Sequence, residues 1–324
     1  MIDRRKRKVA VVVTITMFLV ASFVATQIDY QDLSDRIASS RFEPSAEIVT
    51  LGNQLDLTEK GQRVLYASSP VIAGRETFND NCTNGGDEHV NVLGCYHDKK
   101  IFVFAIDNEQ VAGIKEVTLA HELLHAVWSR LGQSERAKLG ELLNHVYSMN
   151  EKLADKIQYY DVSERDNELH SIIGTEVRDL PDELERHYAK YFKNRASIVA
   201  TYDGYSEVFD ALKRESEELS EQMRVLEQAV FDLKTEYEER WDTLSAEITD
   251  FNQRANTGAF VSESAFRSER AVLEQKTNEL NNLYTTINQK IDEYNGLVEK
   301  YNAVSVHLTE LANSISSTAP PVEF

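Results

Sequence analysis

Cysteine is scarce in this chain: Cys82 and Cys95 are the only two in 324 residues. Both fall in "NDNCTNGGDEHVNVLGCYHD", and no C-x-x-C pair accompanies them. Zinc ribbons use that spacing, so a Cys/His metal knuckle drawing on His89 or His97 is disfavoured. A disulfide closing a Gly-rich loop is the better reading, and it would hold a loop rather than perform chemistry. Basic residues are the second shortage: 35 Lys and Arg stand against 54 Asp and Glu, a net charge of −19. The opening "MIDRRKRK" holds five basic residues and Asp3, or +4, so everything after Lys8 sums to −23. So acidic a body repels phosphate backbones, which argues against nucleic acid as a partner.

Long hydrophobic runs are missing too, with one exception. Residues 9–26, "VAVVVTITMFLVASFVAT", are uncharged and almost wholly apolar. As a helix they would span about 27 Å, close to the hydrocarbon thickness of a bilayer. A cleaved signal peptide would have a shorter apolar core, and no clear A-x-A site precedes Gln27. The expectation is a single-pass anchor in the cell membrane after a cytoplasmic basic tip, residues 1–8. By the positive-inside rule the rest, including any catalytic domain, is extracytoplasmic.

The remaining length suits one large domain or two ordinary ones, and 42% hydrophobic with 9% aromatic residues suffices for a packed core. After a short polar helix or stalk near residues 29–40, "LTEKGQRVLYASSPVI" predicts a helix capped near Thr58 and stopped before Pro70. Strand-like pieces follow in "PVIAG", "HVNVLGCYH" and "KKIFVFAI", the last β-branched and aromatic. A long helix, "VAGIKEVTLAHELLHAVWSRLG", is expected to end at Gly132. Three more are expected over "QSERAKLGELLNHVYSMNEKLADKIQYY", "VSERDNELHSIIG" and "LPDELERHYAKYFKNRASIVATY". Gly174 would stop the second of these and Pro181 open the third.

Past Gly204 the pattern changes. From Phe209 through Leu219, Leu226 and Leu244 to Phe251, apolar residues alternate three- and four-residue steps, the stripe of a coiled coil. "NQRANTGAF" interrupts with turn chemistry at Gly258, and a second stripe runs from Leu273 through Thr277, Leu280, Tyr284 and Ile287 to Leu308. Two such helices joined by a short turn predict an antiparallel hairpin over residues 205–315, with arms of about 60–70 Å. It would serve as a self-association rod or as a docking arm for a protein partner. Residues 316–324 read as a frayed tail.

Chemistry concentrates in "VTLAHELLHAVW". Residues four apart on a helix share a face, so His121 and His125 can aim ring nitrogens at one ion. Glu122 projects about a hundred degrees round from His121, where a carboxylate can take the proton of an activated water. A catalytic zinc takes three protein ligands and leaves one position open. The expected cofactor is one zinc ion per chain.

"HELLHAV" resembles the active-site helix of zincin metallopeptidases, the thermolysin-like gluzincins above all. In that group the third ligand is a glutamate on a later helix, often within an Asn-Glu pair, and "NELHSIIG" offers Asn167 and Glu168. The resemblance, over residues 70–192, implies Glu168 as third ligand, Glu122 as general base and "KKIFVFAI" as the edge strand that receives extended substrate. Glu176 is the alternative third ligand, in a position expected to be loop; His170 points away from Glu168. Ile172 stands where thermolysin-like proteins have an aspartate that orients the first histidine, which leaves Glu176 or Asp179 for that contact. Arg186, His187, Tyr188 and Tyr191 are available oxyanion donors, but the same segment reads as packing, and no such role is assigned.

The expected fold class is therefore α+β. A zincin-like domain with a small sheet (residues 27–204) would carry the hairpin and be preceded by one transmembrane helix. The expected function is a membrane-anchored zinc metalloendopeptidase acting on peptide or protein substrates. The alternatives are a non-enzymatic scaffold working through its coiled coil, or a zinc-dependent cell-wall amide hydrolase.

Overall fold

The computed structural model describes residues 30–82, 92–157, 160 and 164–317. Helices dominate: α1 (Tyr30–Arg41), α2 (Ala46–Gln54), α3 (Glu59–Ala67), α4 (Arg75–Cys82), α5 (Ile114–Arg130), α6 (Gln133–Ser148) and α7 (Glu151–Ile157). They continue with α8 (Arg165–Glu176), α9 (Asp182–Tyr188), α10 (Arg195–Thr257) and α11 (Glu263–Ile315). Among the described residues the sheet is three short strands, β1 (Val71–Ala73), β2 (Gly94–His97) and β3 (Lys100–Phe104). This corrects the α+β expectation: 79% of the described residues are helical, and the sheet is an accessory to the helices.

The membrane expectation is corrected as well. No helix among the described residues is long and apolar enough to cross a membrane. The helices with sufficient length, α10 and α11, are amphipathic and carry charges throughout. Residues 9–26, on which the anchor rested, lie outside the described residues. The single-pass placement, with its cytoplasmic tip and extracytoplasmic domain, rested on that segment alone.

The chain divides into two compact units, one of residues up to Val208 together with those from Asn313 onward, the other Phe209–Ala312. In the first, α5 is the central element. Leu119, Ala120, Leu123, Leu124, Ala126 and Val127 are all at most 1% exposed, so the helix is covered nearly all round. A helix apolar on every side belongs in a core. Arg130 in its last turn binds buried Asp35 of α1 at 2.9 Å and the Tyr96 hydroxyl at 3.2 Å. Thus α1 packs on the unit rather than forming a stalk. As expected, α3 is capped by Thr58, whose side chain accepts the Gly61 N–H.

β3 is the central strand, parallel to β1 and antiparallel to β2, in the order β1-β3-β2. Its side chains from Ile101 to Phe104 are buried on both faces. The expectation that "KKIFVFAI" forms an open edge is thereby overturned; β2 is the edge strand beside it. β2 and β3 join through Asp98 and Lys99, both at positive φ (48° and 64°), as a tight hairpin turn requires. Cys82, ending α4, is disulfide-bonded to Cys95 of β2, with Cα atoms 5.7 Å apart.

Two expected helices are each split. Asn150 breaks the first, its side chain accepting the Lys152 N–H to start α7. The second stops at Tyr188 because the chain leaves the helix to pair with residues 56–58: Thr58 N–H donates to Tyr191 O at 2.9 Å, and Lys193 N–H to Asp56 O at 2.9 Å. Helix α10 then runs without a break through Gly204.

In the second unit the arms of α10 and α11 pair antiparallel, since contacts match rising numbers on one with falling numbers on the other. Lys276 meets Glu247 at 2.6 Å, Arg254 meets Glu269, and the Tyr237 and Tyr284 rings are 5.9 Å apart. Leu244, Phe251, Leu273 and Leu280 form its buried core near the turn, where Phe251, Phe260 and Phe266 pack ring on ring at 5.1–5.2 Å. Thr277 and Tyr284 depart from the expected stripe and are exposed.

Candidate metal centre

Helices α5 and α8 lie against each other at the heart of the first unit, and their approach depends on a glycine. A Cβ at Gly174 would stand 2.3 Å from Leu124 Cδ1 and 2.7 Å from Tyr188 Cε1, distances no side chain tolerates. Gly174 therefore does not stop α8, as its residue type suggested; it lies inside the helix and lets α5 come close. α8 is buried along most of its length, from Glu168 through Thr175.

That packing brings together three side chains from two helices. The Nε2 atoms of His121 and His125 are 3.0 Å apart. Glu168 places Oε1 3.4 Å from His121 Nε2 and Oε2 3.3 Å from His125 Nε2. Ligands about 2.0–2.1 Å from a tetrahedral ion are separated by about 3.3 Å, so the spacing of these atoms fits a single small cation. Two imidazole nitrogens and one carboxylate are also the donor set that zinc accepts in catalytic sites. Among the described residues no other three histidine, cysteine, aspartate or glutamate side chains gather in this way.

Asn167, next to Glu168, supplies a contact that sequence reasoning did not assign. Its Oδ1 lies 3.0 Å from His125 Nδ1. With that oxygen as acceptor, Nδ1 carries the hydrogen and Nε2 turns its lone pair toward the other two side chains, the arrangement that orients metal-binding histidines. The charge balance also favours a cation. Burial alone would lower the pKa of His125, but the Glu168 hydrogen bond and the charge of Glu122 outweigh it and hold the ring above the ordinary imidazole range. Burial would raise the Glu168 carboxyl, yet the two histidines hold it below the ordinary range.

The centre opens on a cleft of about 600 Å³ lined by residues of β2, α5 and α8, together with Lys156, Tyr160 and Tyr205. Glu122 also lines it and is 4% exposed. Glu176 is the last residue of α8, not loop, and reaches the cleft one turn beyond Ile172. Its carboxylate is ion-paired with Lys156, which also donates to the Tyr202 hydroxyl at 2.7 Å. Glu176 is thus not part of the triad. Asp179 is exposed beyond the helix end.

The segment offering oxyanion donors faces elsewhere. His187, Tyr188 and Tyr191 are at most 4% exposed and do not line the cleft. Tyr188 donates to the His170 carbonyl at 2.8 Å, and His170 and His187 meet through their Nε2 atoms at 2.8 Å. Arg186 is exposed. This histidine pair should set acid stability. Burial, reinforced by the positive charge of Lys190, pulls His187 down to about 4. Between pH 6.5 and 4 the unfolded chain therefore takes up a proton that the folded one refuses, so stability falls as pH falls through that window. The loss amounts to about 3 kcal/mol at 1.36 kcal/mol per unit. Denaturant titrations at pH 7 and pH 4.5 should show it, with a smaller difference in His187→Gln.

No protein-family model, curated protein or solved structure matches this chain, so the likeness to gluzincins is one of motif and the chemistry rests on these residues.

Proposed function

We propose that this protein is a zinc-dependent peptidase. The observation that carries the reading is the convergence of His121, His125 and Glu168 beside buried Glu122 on the wall of an open cleft. His121, His125 and Glu168 would hold the ion, and Asn167 fixes the ring of His125. When bound, zinc would polarise a carbonyl and make water acidic enough to attack at neutral pH. Glu122 accepts the proton of the attacking water and hands it to the departing amine. A scaffold acting through its coiled coil has no use for Glu122 in that position.

A peptide suits the cleft because β2 is an edge strand. Phe104 N–H donates to Leu93 O at 2.8 Å, which makes residues 93, 95 and 97 the partners bonded to β3 in the register observed. In an antiparallel ladder the intervening residues turn their main-chain groups the other way. Gly94 and Tyr96, both lining the cleft, therefore direct N–H and C=O away from β3, and an extended substrate can pair with them.

The test is cleavage of an unstructured protein such as casein by the purified chain, alongside a cell-wall amide substrate. We expect protein cleavage that a zinc chelator abolishes and added zinc restores. Cleavage indifferent to the chelator would refute the metal mechanism; cleavage of the cell-wall amide alone would refute the peptidase assignment.

A further inference from the structure

Alternate residues of a strand share a face, so Gly94 and Tyr96 both look toward α5. Tyr96 uses that direction: its hydroxyl lies 3.0 Å from Ser129 Oγ and accepts an N–H of Arg130 at 3.2 Å. One step back along the strand, α5 presents Thr118 and Glu122, and there the strand carries no side chain. A Cβ at Gly94 would lie 2.6 Å from Thr118 Cγ2, 2.8 Å from Glu122 Cγ and 2.8 Å from Glu122 Oε1. Such separations are far inside the 3.5–4.0 Å at which carbon atoms rest. Gly94 is not among the glycines with positive φ, so backbone freedom is not what it provides. A glycine within a strand otherwise weakens it. Its use here is room.

Neither neighbour can retreat to make that room another way. The strand is held on both sides of Gly94, by the Leu93 carbonyl's bond to Phe104 and by the Cys95 disulfide. The helix carries His121 and His125 on either side of Glu122, so moving its backbone would move both ligands. Thr118 is tied by its hydroxyl to Ile114 O at 2.7 Å, so the longer Glu122 side chain, with more rotatable bonds, is the one that shifts.

We propose that Gly94 is a positioning residue for the general base, its missing side chain being the space in which the Glu122 carboxylate is held beside the metal centre. The inference rests on the peptidase reading above. It predicts that bulk at position 94 disturbs proton transfer while sparing the ligands, none of which meets the added Cβ among its nearest contacts.

The experiment compares four full-length chains: wild type, Gly94→Ala, Glu122→Gln and the double variant, each assayed for zinc content, kcat and KM on one peptide. Gly94→Ala should keep its zinc and a KM near that of the wild type while kcat falls about 10- to 100-fold, the scale of a displacement of about 1 Å at a reacting group. In the Glu122→Gln background the same change should cost nothing further, because the group it displaces has lost its function. A merely structural glycine would lower activity equally in both backgrounds, and that result, or an undiminished kcat in Gly94→Ala, overturns the proposal. If Gly94→Ala does not fold, the comparison passes to Gly94→Ala/Thr118→Ser. That chain loses the nearest contact yet keeps the hydroxyl that donates to Ile114 O, and the same outcomes decide. A wild-type chain that binds zinc but cleaves no peptide overturns the peptidase reading itself, a failure distinct from the other two.

Discussion

Replacing Glu168 with alanine is expected to lower zinc affinity more than about 100-fold, beyond the 10- to 100-fold typical of removing an outer partner, and to reduce hydrolysis to background. The reason is geometric. Its two oxygens stand 3.4 and 3.3 Å from the two ring nitrogens, and among the described residues no other carboxylate completes such a group with the two histidines. Glu176, the other acid on the cleft side of α8, is occupied by Lys156. Glu176→Gln should therefore leave zinc binding intact. Isothermal titration of the metal-free variants with zinc measures both effects. Tight binding by Glu168→Ala together with loss in Glu176→Gln would reverse the ligand assignment.

Glu122→Gln separates holding the metal from using it. The amide has the size of the carboxylate but cannot accept the proton of the attacking water, and loss of a general base costs about 10²- to 10⁴-fold. Hydrolysis should fall by that factor while zinc content stays at the wild-type level, because His121, His125 and Glu168 are untouched. Steady-state kinetics with metal analysis of the same preparation reads both quantities. Hydrolysis close to wild type would remove Glu122 from the reaction.

The parts legible in the sequence were those governed by local periodicity. The spacing of His121 and His125 follows from the helical turn, and the stripes of α10 and α11 follow from the coiled-coil repeat. Elements set by distant pairing were not legible. Strand order is one: β3 looked like an edge because its own residues cannot reveal that β1 pairs beside it in parallel. The ends of α9 and α10 are another, since the break comes from main-chain bonds to residues 56–58. Short helices α2 and α4 gave too little pattern to stand out.

Within the site, Glu168 was reached through the likeness to gluzincins rather than by spacing alone. The role of Asn167 depends on how α8 crosses α5, which no local signal encodes. Gly174 misled for the same reason: in sequence it looks like a stop, whereas in the fold it is the contact that lets the two helices meet. Gly94 lies in an ordinary strand, and only the neighbouring Thr118 and Glu122 explain why it has no side chain.

Zinc titration of the metal-free wild-type chain beside a His121→Ala/His125→Ala double variant tests the central claim most directly. One equivalent bound tightly by the wild type and none at that affinity by the variant is the predicted result. Failure of the wild type to bind, or equal binding by both chains, would contradict the account.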